Sequence, residues 1–139
     1  MIKKLPVFIA AALFCLSFSG CADNSKKDSA QGAAKAVYKK ISAKEAKEIM
    51  DSGKSFILLD VRTAAEFKER RIAGAVLIPN YEIANRALAE LPDKDAIILV
   101  YCRSGNRSSG AARELVKMGY TKVYDFGGIS GWPYNTVSG

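Results

Sequence analysis

Two stretches of the chain, 56–60 (FILLD) and 96–101 (AIILVY), are almost continuously apolar, the pattern of strands covered on both faces. Around them the spacing of apolar residues changes to that of helices. Ser42 to Glu45 forms a capping box, in which Ser and Glu satisfy each other's backbone donors, and opens a helix that Gly53 ends. Thr63 to Glu66 forms a second box, opening a short helix to about Arg70. Residues 75–78 stop at Pro79 and read as a short strand. Asn80 is placed to cap a helix over 81–91, where Ile83, Ala87, Leu88 and Leu91 share a face. Pro92 and Asp93 make the following turn. Ser108 to Met118 predicts another helix, with Ala111, Ala112, Leu115 and Met118 inward and Gly119 ending it. Residues 122–124 predict a last short strand. Strands alternating with helices of this length imply an α/β fold, a central parallel sheet with helices on both faces.

The first 36 residues follow different rules. Lys3 and Lys4 precede fifteen uncharged positions, 5–19. A spanning helix needs roughly 18–20 apolar residues, so this run fits a secretory signal better than a permanent anchor. Phe18-Ser19-Gly20-Cys21 resembles the lipobox of bacterial lipoproteins, in which the cysteine is acylated and becomes the new N-terminus. The expected organisation is a signal peptide over 1–20, a lipidated Cys21, a flexible tether over 21–36 and a domain over 37–139. An ordinary signal peptide cut after Ala22 is the alternative. Either way the protein is expected to be exported; with lipid on Cys21 it would be held to a membrane of the cell envelope, its domain in the periplasm or at the outer face.

Composition narrows the chemistry. The 139 residues include no His, which excludes Ser-His-Asp triads, Cys-His pairs and histidine metal sites. No metal centre or cofactor is expected. Removing residues 1–20 leaves 19 basic and 14 acidic residues, a dispersed excess that favours small anions and does not mark a nucleic-acid partner. Of three cysteines, Cys15 falls in the signal and Cys21 at its end, so the domain keeps only Cys102. A lone thiol forms no internal disulfide; it is either buried and inert or kept for its reactivity.

Its neighbours favour reactivity. Cys102-Arg103-Ser104-Gly105-Asn106-Arg107-Ser108 joins the apolar strand to the helix that follows. In parallel sheets ligands bind beyond the carboxyl ends of strands, and a helix N-terminus offers unpaired N–H groups to an anion. Gly105 permits the backbone to wrap with its amides inward, and Arg103 and Arg107 add positive charge. Such a loop should lower the thiol's pKa and hold either the thiolate or a docked oxyanion.

This loop closely resembles the active-site loop of single-domain rhodaneses, which are sulfurtransferases. Asp60-Val61-Arg62 with Glu66-Phe67, the segment 72–79 (IAGAVLIP), and Gly127-Gly128-Ile129-Ser130-Gly131-Trp132 are similar to three further motifs of that family. The resemblance spans residues 37–139; Arg71 stands where the family usually has His, and Ala73 where it often has Pro. It implies a rhodanese-like three-layer fold and transfer of sulfane sulfur from an anionic donor such as thiosulfate, through a Cys102 persulfide, to a thiol or protein acceptor. In that scheme Cys102 is the nucleophile, Arg103 and Arg107 serve the donor, and the amides over 103–107 hold the sulfur, with Ser104, Gly105 and Asn106 shaping the turn. The leaving sulfite is already a good anion, so the absence of a general acid fits. The alternatives are a Cys-dependent phosphatase of the same fold and a non-catalytic sulfur carrier. Phosphatase loops of this kind place five residues between Cys and Arg, whereas four stand here. Asp60, Arg62 and Glu66 are expected to form a strand-end network, Trp132 to pack in the core, and Ser108 either to donate to the thiolate or to serve the start of its helix.

Overall fold

The alternation folds into one five-stranded sheet with every strand pairing parallel. The structure is a computed structural model and describes residues 37–139. The segments expected to be a signal peptide, a lipidated Cys21 and a tether lie outside those residues. Chain order is β1 (Lys39–Lys40), α1 (Ala43–Asp51), β2 (Phe56–Asp60), α2 (Ala64–Glu69), β3 (Val76–Leu77), α3 (Ile83–Glu90), β4 (Ile97–Cys102), α4 (Asn106–Lys117) and β5 (Lys122–Gly128), closed by a 3-10 turn, Ile129–Gly131. Across the sheet the order is β1-β5-β4-β2-β3, which puts β4 at the centre.

Successive side chains of a strand point to opposite faces, and β2 and β4 use both. Leu58, Leu99 and Tyr101 pack with Ala46 of α1 and with Phe126, Ile129 and Trp132. Leu59, Ile98, Val100 and Cys102 pack with Ile83 and Ala87 of α3 and Ala111, Ala112 and Leu115 of α4. This is the three-layer arrangement expected from the sequence, and it explains why FILLD and AIILVY lack polar alternation. Both capping boxes form, at Ser42 and Thr63.

Three of the expected elements need correction. Asn80 does not cap α3: the chain first turns, with Glu82 N–H bonded to Pro79 O at 2.8 Å, and the Asn80 amide is committed to Val61 O at 3.0 Å. The helix after Cys102 starts at Asn106, two residues early, because Gly105 turns the chain at φ +105° directly into it. The last strand continues through Gly128, since Asp125, although buried, is satisfied by Ser109 Oγ at 2.9 Å and Gly127 N at 3.0 Å. Strand β1 leaves no apolar signal in the sequence, because both its residues are exposed lysines at an edge.

Candidate active site

Cys102 is the last residue of the central strand, and its side chain turns toward α4. The residue is only 1% exposed. The loop bends back over it so that Gly105 N–H donates to Sγ at 3.0 Å, with Ser108 Oγ 3.6 Å away. Burial pushes the thiol's pKa up, but the amides of Ser108, Gly105 and Ser104 and the Ser108 hydroxyl together outweigh it, and the net direction is down. The cradle of N–H groups expected from the sequence therefore exists, and its donors supply the main downward pull, ahead of the arginines. Of the two roles considered for Ser108, the hydrogen bonds show the structural one: its hydroxyl donates to backbone carbonyls at the start of α4 and in β5, and in its contact with Cys102 accepts from Sγ. Its buried hydroxyl borders the sulfur and ties the loop to β5, lying 3.1 Å from Gly105 O and 3.2 Å from Gly127 O.

Strand β5 supports the loop from the side. Val100 pairs with Asp125 but Cys102 with Gly128, so β5 carries one extra residue, a bulge at the reactive end of the sheet. Gly127 takes φ +86° there. Gly128 lies so close to the loop that a Cβ on it would stand 2.2 Å from Arg103 O. Ser130 then fastens that same carbonyl, through N–H at 3.2 Å and Oγ at 2.7 Å. The segment 127–132 thus braces the first peptide of the loop. Trp132 is buried in the core against Phe126, ring centroids 5.4 Å apart, as expected.

Arg107 has a partner that the sequence does not reveal. Its Nη1 and Nη2 grip Glu66 Oε2 and Oε1 at 2.8 and 2.7 Å, a bidentate pair. The sequence places Glu66 in a network with Asp60 and Arg62. Those two do pair, buried, at 2.6 Å, but Glu66 reaches across to the loop instead. Arg107's hydrogen bonds hold the Glu66 carboxyl at about 2, with further help from Thr63. A carboxyl depressed on folding adds stability above its unfolded value of about 4.3, and that contribution fades as pH falls toward 2. Glu66→Gln should therefore destabilise the domain at pH 7 by about 1 kcal/mol, the scale of one partly exposed charged contact. The gap between the two proteins should close in acid, as read by urea unfolding at pH 7, 4 and 2.5. A gap that stayed constant with pH would mean that the ion pair is not its source.

The other loop residues divide between two cavities. Ser104, Gly105 and Asn106 line one of about 500 Å³, together with Lys40, Ser109 and Asp125. Arg103 lines another of about 270 Å³, with Arg62, Glu66, Glu69, Arg70 and Ile129. Arg71, at the position where the resemblance departs, lies over the Phe67 ring and bonds Gly139 O at 2.6 Å, so it holds the C-terminal segment and not the loop.

Comparison with known proteins agrees with this geometry. Residues 42–134 match the Rhodanese-like domain family. The chain is 37% identical over 71 residues to the thiosulfate sulfurtransferase PspE of Escherichia coli, covering 51% of this chain and 68% of that protein. It is 33% identical over 97 residues to the thiosulfate sulfurtransferase GlpE of Coxiella burnetii, covering 69% and 88%. Among solved structures, a rhodanese with anions from E. coli superposes with a TM-score of 0.58 at 33% identity, covering 61% of this chain and all of that one. Since the match runs from the N-cap of α1 to Tyr134 and holds the cysteine loop within it, the chain belongs to the rhodanese-like domain family.

Proposed function

We propose that this rhodanese-type sulfurtransferase carries sulfur as a persulfide on Cys102, taking it from an anionic sulfane-sulfur donor such as thiosulfate. The observation that carries the reading is the Gly105 N–H aimed at Sγ from 3.0 Å inside a loop of converging amides. The Cys102 thiolate attacks the outer sulfur of thiosulfate. The donor's S–S bond breaks, its electron pair leaves with sulfite, and a Cys102–S–S⁻ remains. The thiolate of a thiol or protein acceptor then attacks the outer sulfur, the persulfide S–S bond breaks, and its electron pair returns to Cys102 as the thiolate. Charge is conserved in both steps and no proton need move, which suits a site without His. The amides over 103–107 stabilise the anionic sulfur, and Ser104, Gly105 and Asn106 set the turn that aims them. Arg103 brings positive charge to the donor, and Arg107 adds the N–H groups that Glu66 leaves free. Four residues between Cys102 and Arg107, and a guanidinium already gripped by Glu66, weigh against a phosphoester substrate. Incubating the domain with thiosulfate should add the mass of one sulfur, which cyanide then removes. No gain with thiosulfate or any other sulfane donor would overturn the reading.

We also propose that the full-length protein is exported and anchored in the cell envelope by lipid on Cys21. Support comes from Lys3 and Lys4, the uncharged run and Phe18-Ser19-Gly20-Cys21. Two or three acyl chains anchor firmly where one binds marginally. Cys21→Ala should block maturation at this site and move the protein out of the membrane fraction. Normal maturation with continued sedimentation would remove the lipid from the account.

A further inference from the structure

The pairing of Arg107 with Glu66 leaves open which groups meet the charge of an anionic donor. Around the 270 Å³ cavity the charged side chains sort into two kinds. Arg62 is held by Asp60, and Glu66 by Arg107. Arg70 and Arg103 are exposed, and among the described residues neither guanidinium makes a hydrogen bond or an ion pair. Their backbones, in contrast, are fixed. The buried Arg62 donates to Arg70 O, and Ser130 donates twice to Arg103 O. Two anchored arginines thus face one cavity with their donors unspent. Glu69 is the opposing charge on the same wall.

We propose that Arg70, with Arg103, forms the subsite that receives the oxyanion end of the sulfur donor. The inference rests on the sulfurtransferase reading and names a residue beyond the cysteine loop, contributed by the end of α2. Planar guanidinium forks match the oxygens of such a group. A cavity of about 270 Å³ lies below the roughly 300–1,000 Å³ of pockets for larger ligands, which favours a compact thiosulfonate over a peptide persulfide. Glu69 opposes the anion and so limits how tightly the subsite holds donor or released sulfite.

Opposite effects from opposite charges give the test. At fixed ionic strength, Arg70→Ala should lower kcat/KM for thiosulfate relative to an uncharged organic trisulfide about tenfold, mostly through KM. Arg70→Lys should recover part of the loss, and Glu69→Gln should shift the ratio the opposite way. Lys122→Ala, at the other end of the sheet, controls for loss of net charge. Equal losses with both donors, or opposite-sign effects that fail to appear, would overturn the subsite. A second measurement needs no turnover. Thiosulfate titrated calorimetrically into the Cys102→Ser protein should bind about tenfold more weakly when Arg70→Ala is added. Failure of the Cys102→Ser protein to bind, or equal binding with and without Arg70, also overturns it. Absence of sulfur uptake by wild type from every donor sinks the sulfurtransferase reading instead, and leaves the binding comparison to decide the subsite.

Discussion

Cys102→Ser is expected to reduce cyanide-dependent thiocyanate formation to the uncatalysed background and to abolish the mass gain with thiosulfate. The domain over 37–139 has no other cysteine, so no second thiol can take over. A serine hydroxyl stays protonated near neutrality, is a weak nucleophile toward sulfur and has no persulfide form. The cradle, which draws the thiol's pKa down against the effect of burial, cannot ionise an alcohol. The fold should survive. Serine is slightly smaller, and its oxygen can still accept from Gly105 N–H, so unfolding in urea should change by no more than about 1 kcal/mol, the scale of an ordinary hydrogen bond. Thiocyanate formation retained by a folded Cys102→Ser protein would end the persulfide account.

Gly128→Ala is expected to damage the site as severely by a different route. The added Cβ would stand 2.2 Å from Arg103 O and 2.6 Å from Ser104 Cα, both backbone atoms with no rotamer to yield. Either β5 or the loop must move. Moving the loop releases the Ser130 bonds to Arg103 O and withdraws Gly105 N–H from the sulfur. Overpacking of this kind costs about 1–3 kcal/mol. A displacement near 1 Å at a reacting group can cost about a hundredfold in rate. Gly131→Ala is the matched control, since its Cβ would meet nothing within 4 Å. Urea unfolding and the thiocyanate assay on both variants check the expectation. Wild-type stability and rate in Gly128→Ala would show that the brace is dispensable.

Features carried by neighbouring residues were legible in the sequence. Continuous apolar runs announced β2 and β4, Ser42 and Thr63 announced their helices, and the order of elements announced a parallel sheet with Cys102 at its carboxyl edge. What escaped depends on side chains that meet only after folding. Glu66 and Arg107 are 41 residues apart, and no period or spacing links them. The pair of glycines at 127 and 128 could be matched to a motif, but their reasons appear only in the folded sheet: a positive φ at Gly127 and a close approach to Arg103 at Gly128. Asn80 misled because a capping residue in the right place is also a good turn residue, and the turn from Pro79 to Glu82 carries the start of the helix past it. β1 is a strand by virtue of its neighbour, pairing through Lys39 and Lys40 with Tyr124 and Asp125.

Glu66 serves two structures with one carboxylate. Oε2 accepts from Thr63 N at 3.0 Å and Thr63 Oγ1 at 3.0 Å to close the first turn of α2, and the same group grips Arg107 beside the reactive loop. Helix and loop therefore share a thermodynamic term, and linkage requires the coupling to run both ways. A ligand that settles Arg107 against Glu66 also protects the start of α2 from fraying. A change that frays α2 loosens the arginine at the sulfur's edge in return. Amide exchange at Glu66 and Phe67 becomes a reporter of occupancy at Cys102, three elements further along the chain.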